Sequence, residues 1–128
     1  MKATILIAGD LAAMLVITLI GFATHGEVQS SALGRMAVLF FPLAASWFLL
    51  APWFGLFRPE VARDIRQVWR PGLAMIFAAP AALVVRAMLL NSVLLWLFGV
   101  ILTGTCALGM MLWRAVAVLV VRGDTNQR

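Results

Sequence analysis

The chain has 128 residues, 64% of them hydrophobic and 12% charged, with a mean hydropathy of +1.04. A soluble domain is nearer half apolar and a quarter charged, and one this small leaves much of its surface wet, so water is excluded as the main solvent and lipid takes its place. The net charge of +5 comes from ten Lys and Arg against five acids, but the arginines sit at the margins of apolar runs, which excludes nucleic acid as the partner and suits membrane topology instead.

Taken in order, four apolar runs are each near or above the roughly 20 residues that cross a hydrocarbon core as a helix. No alternating pattern of a barrel is present. The expected fold is an all-α membrane protein, a four-transmembrane-helix bundle forming a single membrane domain over 1–128. Its helices are placed at about 4–24, 34–54, 72–90 and 93–121. The first contains Asp10, which breaks the apolar core that a cleaved leader needs, so this segment is read as a retained helix.

Helix two contains Pro42 and helix three Pro80, both read as tolerated by packing. Between them lies "RPEVARDIRQVWRP" (58–71). Pro59 suits a first helical turn, Glu60 suits its dipole, and Val61, Ile65, Val68 and Trp69 fall on one face. The spacing predicts a short amphipathic interfacial helix over about 59–69. Asn91-Ser92 is the one turn signal before helix four, so that hairpin is expected to be tight. Small residues four apart, Ala74, Ala78 and Ala82 on helix three and Ala8 and Ala12 on helix one, mark faces where helices can approach closely.

Four spans put Lys2, Arg58, Arg63, Arg66, Arg70, Arg122 and Arg128 on one side, with Arg114 close by, and only Arg35 and Arg86 on the other. This bias predicts a bacterial cytoplasmic (inner) membrane protein with both termini cytoplasmic.

The polar residues within the spans carry the rest. An ionised carboxylate in hydrocarbon costs roughly 2.5–3.5 kcal/mol, so Asp10 is expected to be protonated, paired or facing water. It lies about six residues, roughly 9 Å, inside the cytoplasmic edge of helix one, and Arg114 lies roughly 10 Å from the same edge on helix four. The matching depths predict an Asp10–Arg114 pair. If Trp113 instead marks the boundary, Arg114 reaches out to the headgroups. Trp53, Trp69 and Trp113 near one interface and Trp96 near the other fit an aromatic belt, while Trp47 in mid-helix requires a packing explanation.

At the other end, His25, Glu27, Arg35 and Arg86 are expected to form an extracytoplasmic polar cluster. His25 can change charge near neutral pH, and it is the single weak candidate for binding a cofactor such as haem or a pigment; a capping role for it is favoured. No cofactor is otherwise indicated. The sequence has one His and one Cys, and no nucleophile elbow, zinc-protease motif, phosphate loop or Cys-x-x-Cys motif. No catalytic residue and no metal ligand set is therefore assigned, and Cys106 is read as a small buried side chain.

"GDLAAMLVITLIGFATHGE" (9–27) resembles the opening of the DUF3054 family of small bacterial membrane proteins, with an Asp early in helix one and a G-x-x-x-H-G segment at its end. "FFPLAASW" (40–47) is similar to that family's helix-two motif, and "RPG" (70–72), Arg86 and "LWR" (112–114) follow in the family's order. The resemblance implies the fold and the orientation and carries no chemistry with it.

The expected function is that of a non-enzymatic integral membrane protein, a small subunit or binding module. Lipid would surround it, and a membrane protein partner or further copies of the chain could contact its apolar faces. The alternative is a small proton-coupled transporter or channel acting as an oligomer. Small multidrug-resistance exporters also pair four helices with an acid in helix one. For that alternative, Thr18, Thr103 and Thr105 are the candidates to line a path.

Overall fold

A computed structural model describes residues 3–24, 32–93 and 95–127. Every regular element among them is helical: α1 (Ala3–Thr24), α2 (Ala32–Leu50), the one-turn α3 (Pro59–Ala62), a 3-10 turn (Ile65–Gln67), α4 (Trp69–Leu90) and α5 (Trp96–Asn126). The four long helices are each long and apolar enough to cross a bilayer. The protein is an all-α membrane protein. α1 packs against α2 and α5, and α4 packs against the same two, so the four close into a ring with α1 and α4 on opposite corners. One end of the bundle holds the start of α1, residues 51–68 and the end of α5, and is rich in arginine. The opposite end holds residues 91–93.

Each packed face is a stripe of residues three or four apart, the period that keeps side chains on one side of a helix. On α1 the stripe is Leu6, Asp10, Met14 and Thr18; on α2 it includes Leu39, Leu43, Trp47 and, just past the helix, Ala51; on α5 it includes Cys106, Met110, Arg114 and Val118. α4 contributes Ala74, Ala78 and Ala82, all fully buried, so its backbone lies close to its neighbours as its small residues predict. Ala8 and Ala12 are exposed, contrary to expectation. The stripe that contains Asp10 takes the inward face of α1, and the alanines are turned away from it.

The element boundaries differ from the predicted ones in ways that local chemistry explains. α2 ends at Leu50 rather than near 54. Pro52 cannot donate to the helix ladder. The chain instead turns through 51–57 by short bonds, among them Trp53 N–H to Leu50 O at 3.0 Å and Gly55 N–H to Pro52 O at 3.0 Å. Gly55 sits at φ +67, in the region that disfavours a side chain.

The predicted single helix over 59–69 is broken. Asp64 has extended backbone, and its carboxylate accepts from the Arg66 N–H at 2.9 Å, capping the 3-10 turn in place of helix continuation. As a result Ala62 is buried, while Ile65 and Trp69 are exposed.

α4 begins at Trp69 rather than 72, because Pro71 falls in its first turn, where no helical acceptor exists for an N–H. At its far end, Asn91 adopts the left-handed conformation (φ 49, ψ 45), and the Ser92 N–H reaches the Ala87 carbonyl at 3.1 Å. This self-capped exit delays α5 to Trp96. α5 continues past 121 to Asn126, and its 31 residues span about 46 Å, well beyond a hydrocarbon core of about 30 Å.

Candidate functional site

The inward stripes of α1, α2 and α5 each place a polar residue at the same level near the arginine-rich end. Asp10 stands between Leu6 and Met14, Trp47 between Leu43 and Ala51, and Arg114 between Met110 and Val118. They meet. Asp10 and Trp47 are 0% exposed and Arg114 is 3% exposed. The Arg114 guanidinium engages the carboxylate side-on: Nε donates to Oδ1 at 3.1 Å and Nη2 donates to Oδ2 at 2.7 Å. Two parallel charge-assisted bonds fix orientation as well as distance.

Two indoles complete the carboxylate. Trp113 Nε1 donates to Oδ1 at 2.9 Å and Trp47 Nε1 donates to Oδ2 at 3.0 Å. Each oxygen therefore accepts one bond from Arg114 and one from a tryptophan. A carboxylate offers about four lone-pair directions, so the acceptor is saturated. Arg114 does not extend to the headgroup level, because its fork is occupied inside. Its Nη1 donates to the Leu56 carbonyl at 2.9 Å, and its plane lies 5.7 Å from the Phe57 ring centre.

The site thus extends into the turn 51–57. Non-helical backbone in apolar surroundings needs outside partners for its carbonyls. Two arginines from different helices supply them: Arg114 to Leu56, and Arg70 Nη1 to the Phe54 carbonyl at 3.1 Å. The aromatic side chains of the turn fold back on the bundle. Phe57 stacks on Phe48 of α2 at 6.1 Å, and Phe54 stacks on Phe77 of α4 at 6.1 Å.

Gly9 makes the approach possible. The Trp113 indole lies where a Cβ on Gly9 would stand, so a side chain there would displace the ring that donates to the neighbouring Asp10.

Several of these partners were not identified by sequence reasoning. Trp113 fits an aromatic belt by position, yet its N–H points inward to Asp10. Trp47 carries a usable signal, since a buried indole N–H requires an acceptor and Asp10 is the one acid within an apolar run. The Leu56 carbonyl leaves no mark in a sequence.

The other candidates divide. His25 and Glu27 lie outside the described residues. Arg35 is exposed on the first turn of α2. Arg86 sits near the end of α4 with its guanidinium 5.8 Å from the Phe98 ring centre. Thr18 and Thr105 each donate to a carbonyl of their own helix at 2.8 Å, Met14 for Thr18 and Ile101 for Thr105; Thr18 is buried and Thr105 is exposed. Cys106 is buried in the core beside Met110. A concavity at the end of α5 and the start of α1 is lined by Ile5, Arg63, Val116, Val120 and Arg122.

No curated protein and no solved structure matches the chain. A family model described as "Protein of unknown function (DUF3054)" matches residues 7–117. That stretch contains Gly9, Asp10, Trp47, Leu56, Trp113 and Arg114, the whole of the buried polar site. The chain belongs to the DUF3054 family.

Proposed function

We infer that the protein is a non-enzymatic membrane subunit or binding module, in which the buried polar site is a clasp that holds α1, α2 and α5 and the 51–57 turn in one arrangement. The observation that supports this reading is the saturation of Asp10. With two arginine nitrogens and two indole nitrogens on its oxygens and no exposure, the carboxylate has no free direction in which to take a proton or a cation from water. A transport acid has to be reachable and has to change partners. The apolar outer faces of α1 and α5, with Leu15, Leu19, Val100, Leu108 and Leu112 exposed, suit lipid and leave room for a protein partner or further copies of the chain. The arginine-rich end suits the cytoplasmic side of a bacterial inner membrane.

Proteoliposomes with a trapped pH-sensitive dye and an imposed pH gradient test the reading. Wild type and Asp10→Asn are expected to hold the gradient as well as empty liposomes, while Asp10→Asn lowers the melting temperature in detergent. Gradient loss that Asp10→Asn abolishes without changing the melting temperature would establish the proton-coupled transporter instead. Gentle purification followed by mass spectrometry is expected to yield a stoichiometric companion protein.

A further inference from the structure

The turn after α2 brings two cations to one point. Gly55 is buried and in the left-handed region. Arg58 and Arg70 both close over it. Arg58 Nε and Arg70 Nη1 each lie 3.6 Å from the position a Cβ on Gly55 would occupy, so the two nitrogens stand within roughly twice that distance of each other. Like charges this close repel unless a negative group lies between them. Among the described residues no carboxylate pairs with either one.

Arg70 has further unmet needs. One of its nitrogens holds the Phe54 carbonyl and its plane lies 5.6 Å from the Trp69 ring centre, but its Nε is buried with no hydrogen-bond partner. It is also the second residue of α4, which has neither an acid in its first turn nor a side-chain cap, so the cation opposes the helix dipole. A single bound anion relieves the repulsion and the dipole conflict together. The same turn and helix start carry Trp53, 85% exposed, and the exposed Trp69, side chains that belong at headgroup depth.

The geometry points to a binding site for the phosphate of an anionic phospholipid, bridged by Arg58 and Arg70 over Gly55. Guanidinium groups suit the oxygens of a phosphate, and lipid headgroups supply that anion at the level where the helices end. This site stands on different residues from the Asp10 clasp and does not depend on it.

Native mass spectrometry of the protein in mild detergent, titrated with phosphatidylglycerol or with phosphatidylcholine, tests it. One phosphatidylglycerol is expected to be retained about tenfold more strongly than phosphatidylcholine, and Arg58→Gln removes that preference, as loss of a charge-assisted bond does. Arg58 is exposed, so this variant keeps the wild-type melting temperature with phosphatidylcholine. Arg66→Gln, exposed on the same loop, is expected to retain the lipid. Arg70→Gln loses it as well, and also loosens the turn. Equal retention of the two lipids by the wild type would overturn the proposal. So would equal losses in Arg58→Gln and Arg66→Gln, which indicate a diffuse field. Displacement of the lipid by millimolar inorganic phosphate would overturn it in favour of a free-phosphate site.

Discussion

At the arginine-rich end the chain leaves α2 through the irregular backbone of 51–57, two of whose carbonyls are held by side chains from later helices. At the opposite end it leaves α4 through one left-handed asparagine, and the backbone caps itself within a few residues. The first arrangement ties separate helices together, because the Phe54 and Leu56 carbonyls, which the turn's own backbone bonds leave over, are met by arginines of α4 and α5. The second ties a helix only to its own last turn. Irregular backbone in an apolar setting therefore does more than connect: its need for remote donors is what locks one helix against the next.

The comparison breaks most sharply at Arg114. Replacing it with Met leaves a buried carboxylate with half its donors and the Leu56 carbonyl with none, and is expected to cost about 3–5 kcal/mol in unfolding followed by circular dichroism in mild detergent. The double variant Asp10→Leu with Arg114→Met is expected to be more stable than Arg114→Met alone, since no lone charge remains. If the two are equal, the loss lies in the turn rather than in the carboxylate.

Trp47→Phe removes one donor while keeping most of the ring packing, and is expected to cost about 1.5–3 kcal/mol, the range for a hydrogen bond to a charged group. Trp113→Phe is expected to cost less, because that indole is only half-buried. Gly9→Ala forces the Trp113 ring aside, for about 1–3 kcal/mol, and is expected to shift tryptophan emission to longer wavelength. The smallest effect belongs to the self-capped end: Asn91→Ala is expected to cost about 1 kcal/mol and Asn91→Gly close to nothing, because only the left-handed backbone is at issue. An Asn91→Ala effect as large as that of Trp47→Phe would erase the contrast between the two ends.

The long helices were legible because lipid demands long apolar runs, and Pro52, Asp64 and Asn91 moved their ends for reasons that act over four residues or fewer. Residues 59–69 misled because the apolar period is genuine while the Asp64 side chain competes for the backbone. Counting residues inward from the two helix ends selects Asp10 and Arg114. It does not select Trp113, whose ring reaches Asp10 only because Gly9 has no side chain, nor the Leu56 carbonyl, which becomes an acceptor only once the chain stops being helical. Both depend on three-dimensional neighbours that sequence spacing does not carry.

Asp10 and Arg114 are 104 positions apart, in the first and the last long helix. During synthesis the acid is made before its guanidinium, with α2 and α4 in between. A product that stops short of α5 carries an unmatched negative group and a bare peptide oxygen in oily surroundings.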